Sequence, residues 1–128
     1  MKKTMLLCIR NGLMSDGIVS MITRKNISLN VFEERNPELF CTSAEIYNPD
    51  VVVIEVKGIR PYTLAEWSER VDKMQKALPK CKVAMIVDDE SFPETAEVLK
   101  KVKARGEIDA FFYTSSGLNY LVDVMDSL

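Results

Sequence analysis

Apolar residues in this chain fall into two alternating kinds of segment. Short unbroken runs of strand length are separated by stretches in which apolar positions return every third or fourth residue. The least interrupted run is Val51 to Ile54, inside Pro49-Asp50-Val51-Val52-Val53-Ile54-Glu55-Val56-Lys57-Gly58. Four β-branched residues without polar alternation predict a strand buried on both faces, as in the middle of a parallel sheet covered by helices on each side. The run ends on Glu55, and Gly58 and Pro61 follow, so a carboxylate is set where the chain leaves the sheet. Thr4 to Ile9 is a second continuous apolar strand, ended by Arg10-Asn11-Gly12. Ile27 to Phe32 alternates more and belongs nearer an edge. Lys82 to Val87 and Asp109 to Tyr113 complete five strands.

Helical spacing fills the intervals. Met14, Ile18, Met21 and Ile22 line a first helix that Arg24-Lys25-Asn26 closes with cations and a left-handed Asn. Asn36-Pro37-Glu38 opens a second, with Leu39, Phe40, Ala44 and Tyr47 as its inner face. Thr63-Leu64-Ala65-Glu66 has the form of a capping box, and Leu64, Trp67, Val71, Met74 and Leu78 follow at core spacing. Ser91-Phe92-Pro93-Glu94 reads as a second capping box, opening a helix with Val98, Leu99 and Val102 inward, Lys100, Lys101, Lys103 and Arg105 towards its end, and Gly106 as its stop. Ser115 or Ser116 is expected to cap a last helix carrying Leu118, Leu121, Val122 and Met125.

Five βα units in strict alternation imply a three-layer α/β sandwich, (βα)5, with right-handed crossovers. The flavodoxin-like strand order 2-1-3-4-5 follows, and it brings Arg10, Asn11, Glu55, Val87, Asp88 and Thr114 to the carboxyl edge, where open α/β sheets hold ligands.

Composition narrows the function classes. The 128 residues suit a single domain, 1–128, and the net charge of -2 gives no general attraction to nucleic acid or anionic lipid. Cys8, Cys41 and Cys81 are odd in number and set among apolar residues, which predicts free buried thiols in a reducing, cytoplasmic setting. Met1-Lys2-Lys3 precedes an apolar run too short for a signal peptide or a membrane span. With no histidine, Ser-His-Asp, Cys-His and ordinary zinc-water mechanisms are excluded. Gly12 and Gly17 have P-loop spacing, but Ile18-Val19 stands where Lys and Ser/Thr belong. A flavin site would want a hydroxyl-rich first loop, which Arg10-Asn11-Gly12-Leu13-Met14 does not offer. The expectation is a protein with no cofactor, no metal and no enzymatic activity.

The stretch Asn48 to Val56 and the strand Lys82 to Val87 resemble the receiver domain of bacterial response regulators (CheY-like), and the layout is similar over essentially the whole chain. The resemblance implies two-component signal transduction. In that family an Asp ending strand three accepts a phosphoryl group, an acidic pair after strand one holds Mg²⁺, a Ser or Thr ends strand four, and Lys-Pro ends strand five. Here Glu55 stands at the phosphoacceptor position and Arg10-Asn11 replaces the acidic pair. Val87 replaces the hydroxyl residue, and Thr114-Ser115, give or take one residue of register, replaces Lys-Pro. Mg²⁺ needs oxygen ligands, preferably anionic, and the charge developing on a transferring phosphoryl group needs metal or lysine, so this chemistry is expected to be lost.

Three readings of Glu55 stay open: a structural acid paired with Arg10, a mimic of phosphorylated Asp, or part of a relocated metal site with Asp88 and Asp89, an atypical acidic pocket that would leave the chain phosphorylatable. The resemblance further implies that a protein partner, a signalling protein or effector domain, docks on the face of helix four, strand five and helix five. Carried over, its gating aromatic is Phe111, or Phe112 after a register slip, within a basic rim of Lys100, Lys101, Lys103 and Arg105. A homodimer through the same face is the other candidate; nucleic acid and membrane are not expected partners.

Overall fold

The computed structural model describes residues 2–128. Its strands are β1 (Lys3–Cys8), β2 (Leu29–Glu33), β3 (Val51–Val56), β4 (Lys82–Val87) and β5 (Ala110–Tyr113), and the helices are α1 (Gly12–Arg24), α2 (Phe40–Tyr47), α3 (Leu64–Ala77), α4 (Pro93–Ala104) and α5 (Leu118–Ser127). All strands pair in parallel in the order β2-β1-β3-β4-β5. The expected flavodoxin-like α/β architecture is therefore the one observed.

Every residue of β3 is buried, as its uninterrupted apolar run requires. Alternation divides it between two cores. Val52, Ile54 and Val56 pack with Phe40 and Ala44 of α2, Trp67, Val71 and Met74 of α3, and Leu99 and Val102 of α4. Val51 and Val53 pack on the opposite face with Ile18 and Ile22 of α1 and Leu121, Val122 and Met125 of α5. Trp67 is core, edge-on to Phe40 at 5.3 Å, and its Nε1 has no hydrogen-bond partner. Cys8 and Cys81 are buried free thiols, and Cys41 is half-buried. Burial raises the Cys8 thiol well above its ordinary value and pushes Cys81 up to about 11, so both stay neutral at physiological pH.

Two strand entries share a device that the hydrophobic pattern does not announce. Just before β3, the Asp50 N–H donates to the Thr4 carbonyl at 2.8 Å while its carboxylate accepts from the Thr4 N–H at 2.7 Å. Just before β5, Asp109 does the same to Val83, at 2.9 and 2.8 Å. Each aspartate thus ties both backbone groups of one residue on the neighbouring strand.

Several local expectations are corrected. Asn36 does cap through its side chain, but the turn it opens is a 3-10 helix, Pro37–Leu39, and α2 begins only at Phe40. Leu39 is consequently exposed, and Tyr47 at the far end of α2 is only partly covered, stacking on Phe32 at 4.1 Å. Ser91 does not cap α4. Its N–H and hydroxyl both bond Asp88, and Phe92 precedes Pro93 without a side-chain cap. Val98 is 46% exposed, because the inner stripe of α4 runs through Ala96, Leu99 and Val102 and position 98 lies one residue's rotation beyond it. Thr114–Ser116 form a 3-10 turn, so Gly117 rather than a serine precedes α5. The Leu118 side chain, expected on the inner face of α5, lies outside the described residues, as does Met1.

Candidate functional site

Because Glu55 shares strand parity with Val51 and Val53, its side chain leaves β3 on the α1 side of the sheet and meets the loop between β1 and α1. Its Oε1 accepts from the N–H of Arg10 at 2.8 Å and of Asn11 at 3.1 Å, and the residue is only 7% exposed. Asn11 in turn caps α1, its Oδ1 accepting from the Met14 N–H at 3.2 Å. The carboxylate therefore ends among backbone donors at the start of a helix, where negative charge is favoured.

Of the three readings left open for Glu55, the one that paired it with the Arg10 guanidinium is corrected in its partner. Among the described residues no ion pair involves either group. Arg10 instead lines an open concavity with Arg35, Asn36, Pro37 and Tyr62. The backbone of Arg10 supplies the donor that the sequence suggested its side chain would.

The remaining strand-end residues are also occupied. Asp88, after β4, accepts from the Ser91 N–H at 3.2 Å and hydroxyl at 2.8 Å. The Ser91 hydroxyl is the main cause holding Asp88 below its ordinary value, followed by the Ser91 N–H, with the Thr114 side chain as a lesser cause. Asp89 accepts from the Ser115 hydroxyl at 2.9 Å. Val87 is fully buried and offers no polar group. Among the described residues no three His, Cys, Asp or Glu side chains gather as a metal-binding group. Glu55, Asp88 and Asp89 thus share an edge of the sheet but bond to three different segments.

On that same edge, Gly58 approaches the loop before α4 closely: a Cβ there would lie 2.7 Å from Cδ1 of Phe92. The contact ties the segment after Glu55 to the entrance of α4. A glycine two residues after a strand was visible in the sequence, but its partner was not.

At the far side of the sheet, Phe112 is buried against α1 and α5, whereas Phe111 is half-buried on the α4 side and packs on Tyr113 with ring centroids 5.5 Å apart. A concavity of about 360 Å³ runs along β5 between α4 and α5, lined by Lys103, residues 109–113, Ser116, Tyr120 and Val124. Of the four cations expected as a rim, only Lys103 lines it. Lys100 lies one helical turn before Lys103 on the same side, Lys101 falls on the outer face of α4, and Arg105 pairs with Glu107 at 3.2 Å.

No family model matches the chain, and no curated protein matches it in sequence. Solved structures do match. A receiver domain protein (CheY-like) from Methanospirillum hungatei superposes with a TM-score of 0.74 at 13% identity, covering 99% of this chain and 93% of that one. A response regulator from Thermotoga maritima gives 0.73 at 13% identity over 99% and 97% of the two chains. An orphan response regulator of H. pylori gives 0.71 at 14% identity over 98% and 94%. At such identities the likeness is one of fold: the chain has the fold of response regulator receiver domains. Among the described residues no helix is long and apolar enough to cross a membrane.

Proposed function

We propose that residues 1–128 act as one receiver-like domain of a two-component type of signalling system, which has given up phosphoryl transfer and works by binding a signalling protein or effector domain in the cytoplasm. The observation that carries this reading is the state of Glu55. A nucleophile for phosphoryl transfer must present a free oxygen in line with its donor, next to cationic stabilisation. Oε1 of Glu55 accepts two backbone N–H bonds that fix the carboxylate against the loop between β1 and α1, and among the described residues no cationic side chain pairs with it, so its second oxygen lacks the stabilisation the step requires. The residues in the family's metal-holding positions, Arg10 and Asn11, bring no carboxylate, Val87 brings no hydroxyl, and Thr114 stands in place of lysine. Glu55 is on this reading a structural acid that fixes the loop between β1 and α1, the role assigned to a covalent switch in relatives of this fold being absent.

The partner docks on the face of α4, β5 and α5, where Phe111 and Tyr113 form an aromatic centre and Lys100 and Lys103 a basic flank. Two measurements test the proposal. Intact mass after incubation with acetyl phosphate and Mg²⁺ is expected to stay unchanged; an added phosphoryl group mapped to Glu55 overturns it. In affinity capture from the native cell, the wild-type chain is expected to retain a protein that the Lys100→Glu/Lys103→Glu variant loses, and retention by the folded variant removes the assigned face.

A further inference from the structure

We propose that the open edge of β5 receives an extended, acidic peptide segment as a sixth strand of the sheet. This deepens the interaction face proposed above and rests on it. Three observations carry the inference, beginning with the direction of the backbone groups. Val83 turns both its N–H and its carbonyl towards β5, where Asp109 takes them. Alternation makes Met85 do the same, and Met85 sits opposite Phe111 in the register. In a parallel ladder a residue that faces its neighbour bonds to the residues flanking its partner, so Ala110 and Phe112 serve Met85 while Phe111 points away. The N–H and carbonyl of Phe111, and by the same alternation those of Tyr113, are directed outwards from the sheet. β5 is the last strand, so nothing in the sheet pairs with them.

The second observation is shape. An outward edge is often covered by a neighbouring helix or loop, and an uncovered one is a template for another strand. Here residues 109–113 line the concavity of about 360 Å³ together with Lys103 on one wall and Tyr120 and Val124 on the other. The aromatic pair Phe111 and Tyr113 on the α4 side, and Tyr120 edge-on to Phe112 at 5.9 Å on the α5 side, offer apolar contact to alternate side chains of an added strand.

The third observation is charge, and it chooses the occupant. Lys103 lines the concavity and Lys100 stands one turn away, and among the described residues neither has an ion pair. Two charges close by are already paired, Arg105 with Glu107 at 3.2 Å and Asp109 with Lys82 at 3.9 Å. Of the two charged residues that line the concavity, the one without an ion pair among the described residues is Lys103, so its unpaired charge is positive. A second copy of this chain, paired β5 to β5 about a two-fold axis, would bring both lysine pairs to one seam, and like charges there oppose it. An acidic segment with apolar residues at alternate positions satisfies both the backbone edge and the lysines.

The test uses the ¹⁵N-labelled full chain and a library of eight-residue peptides in which Glu or Asp alternates with Val, Ile or Phe. The expected result is a binder that slows hydrogen exchange at the Phe111 and Tyr113 amides by about tenfold or more, the mark of main-chain pairing. N-methylation of one alternate set of the peptide's amides is expected to weaken binding by about tenfold while the other set is tolerated, as strand addition requires. Failure of every library member to bind, equal tolerance of both N-methyl sets, or protection of these amides through concentration-dependent dimerisation in the absence of peptide each overturns the proposal. The underlying face is judged separately. If the lysine reversals abolish capture of the native partner while that partner leaves exchange at Phe111 and Tyr113 unchanged, the face stands and strand addition falls.

Discussion

At the carboxyl ends of the strands, the acidic groups of Glu55, Asp88 and Asp89 each have a partner within the chain. Glu55 holds the N–H groups of Arg10 and Asn11, Asp88 holds Ser91, and Asp89 holds Ser115. Along the outer side of β5 the position is reversed: backbone groups point outwards, four aromatic residues line a concavity, and two lysines stand without counter-ions among the described residues. The same fold thus has one border whose polar groups are consumed in holding loops and another whose groups are left for an incoming molecule. A border of the first kind is suited to stability and one of the second kind to recognition, and mutations in the two are expected to be read by different measurements.

The largest effect is expected at the closed border. Glu55→Ala leaves two N–H groups without their charged acceptor and is expected to cost about 2 to 3 kcal/mol, visible as a lower denaturation midpoint. A change below about 0.5 kcal/mol, the scale of ordinary surface substitutions, would place Glu55 with the open border instead. Next is Gly58→Ala, whose Cβ must displace the Phe92 ring; a cost of about 1 to 2 kcal/mol is expected from overpacking. Phe92→Ala opens the space that Cβ needs, so the double variant is expected to be more stable than the sum of the single effects predicts.

Smaller effects sharpen the contrast. Lys100→Glu with Lys103→Glu is expected to change stability by less than about 0.5 kcal/mol, since both are exposed and unpaired, yet to slow partner association and reduce its salt dependence. Stopped-flow rates at two ionic strengths check this. Asp88→Ala is expected to have the slightest effect and the clearest pH signature. Its carboxyl is held below the ordinary value, chiefly by the Ser91 hydroxyl, so its contribution is present above the unfolded value and lost as the folded form is protonated. Wild type and variant are therefore expected to differ at neutral pH and to converge as pH falls below roughly 4, the ordinary carboxylate range.

Much of this architecture was legible in the sequence because periodicity is a property of side chains. The strands, their order and the two-sided burial of Val51 to Ile54 follow from it, as does Glu55 at the end of β3. What was not legible depends on backbone groups or on small rotations. One of the three readings of Glu55 paired it with the Arg10 guanidinium, but its partners are N–H groups, which every residue but proline carries and which therefore leave no mark in a sequence. Ser91 has the spacing of a cap and was drawn to Asp88 instead, a competition between two nearby acceptors that spacing alone does not decide. Val98 and Lys101 were misplaced by one step of 100° around α4, enough to move a side chain from a helix face to its flank.

Asp50 and Asp109 carry one more consequence. Each grips both backbone groups of a single residue on the adjacent strand, at the end of the sheet opposite to Glu55. A strand gripped at its entrance cannot slide, so the alignment of β1 with β3 and of β4 with β5 is fixed before the carboxyl ends are reached. Residues at those far ends are thereby relieved of any duty in alignment. Glu55, Asp88 and Asp89 at those far ends hold loops rather than strands, so substitutions there are expected to loosen a loop while leaving the strand register in place. The sheet sets its register at one end and anchors its loops at the other.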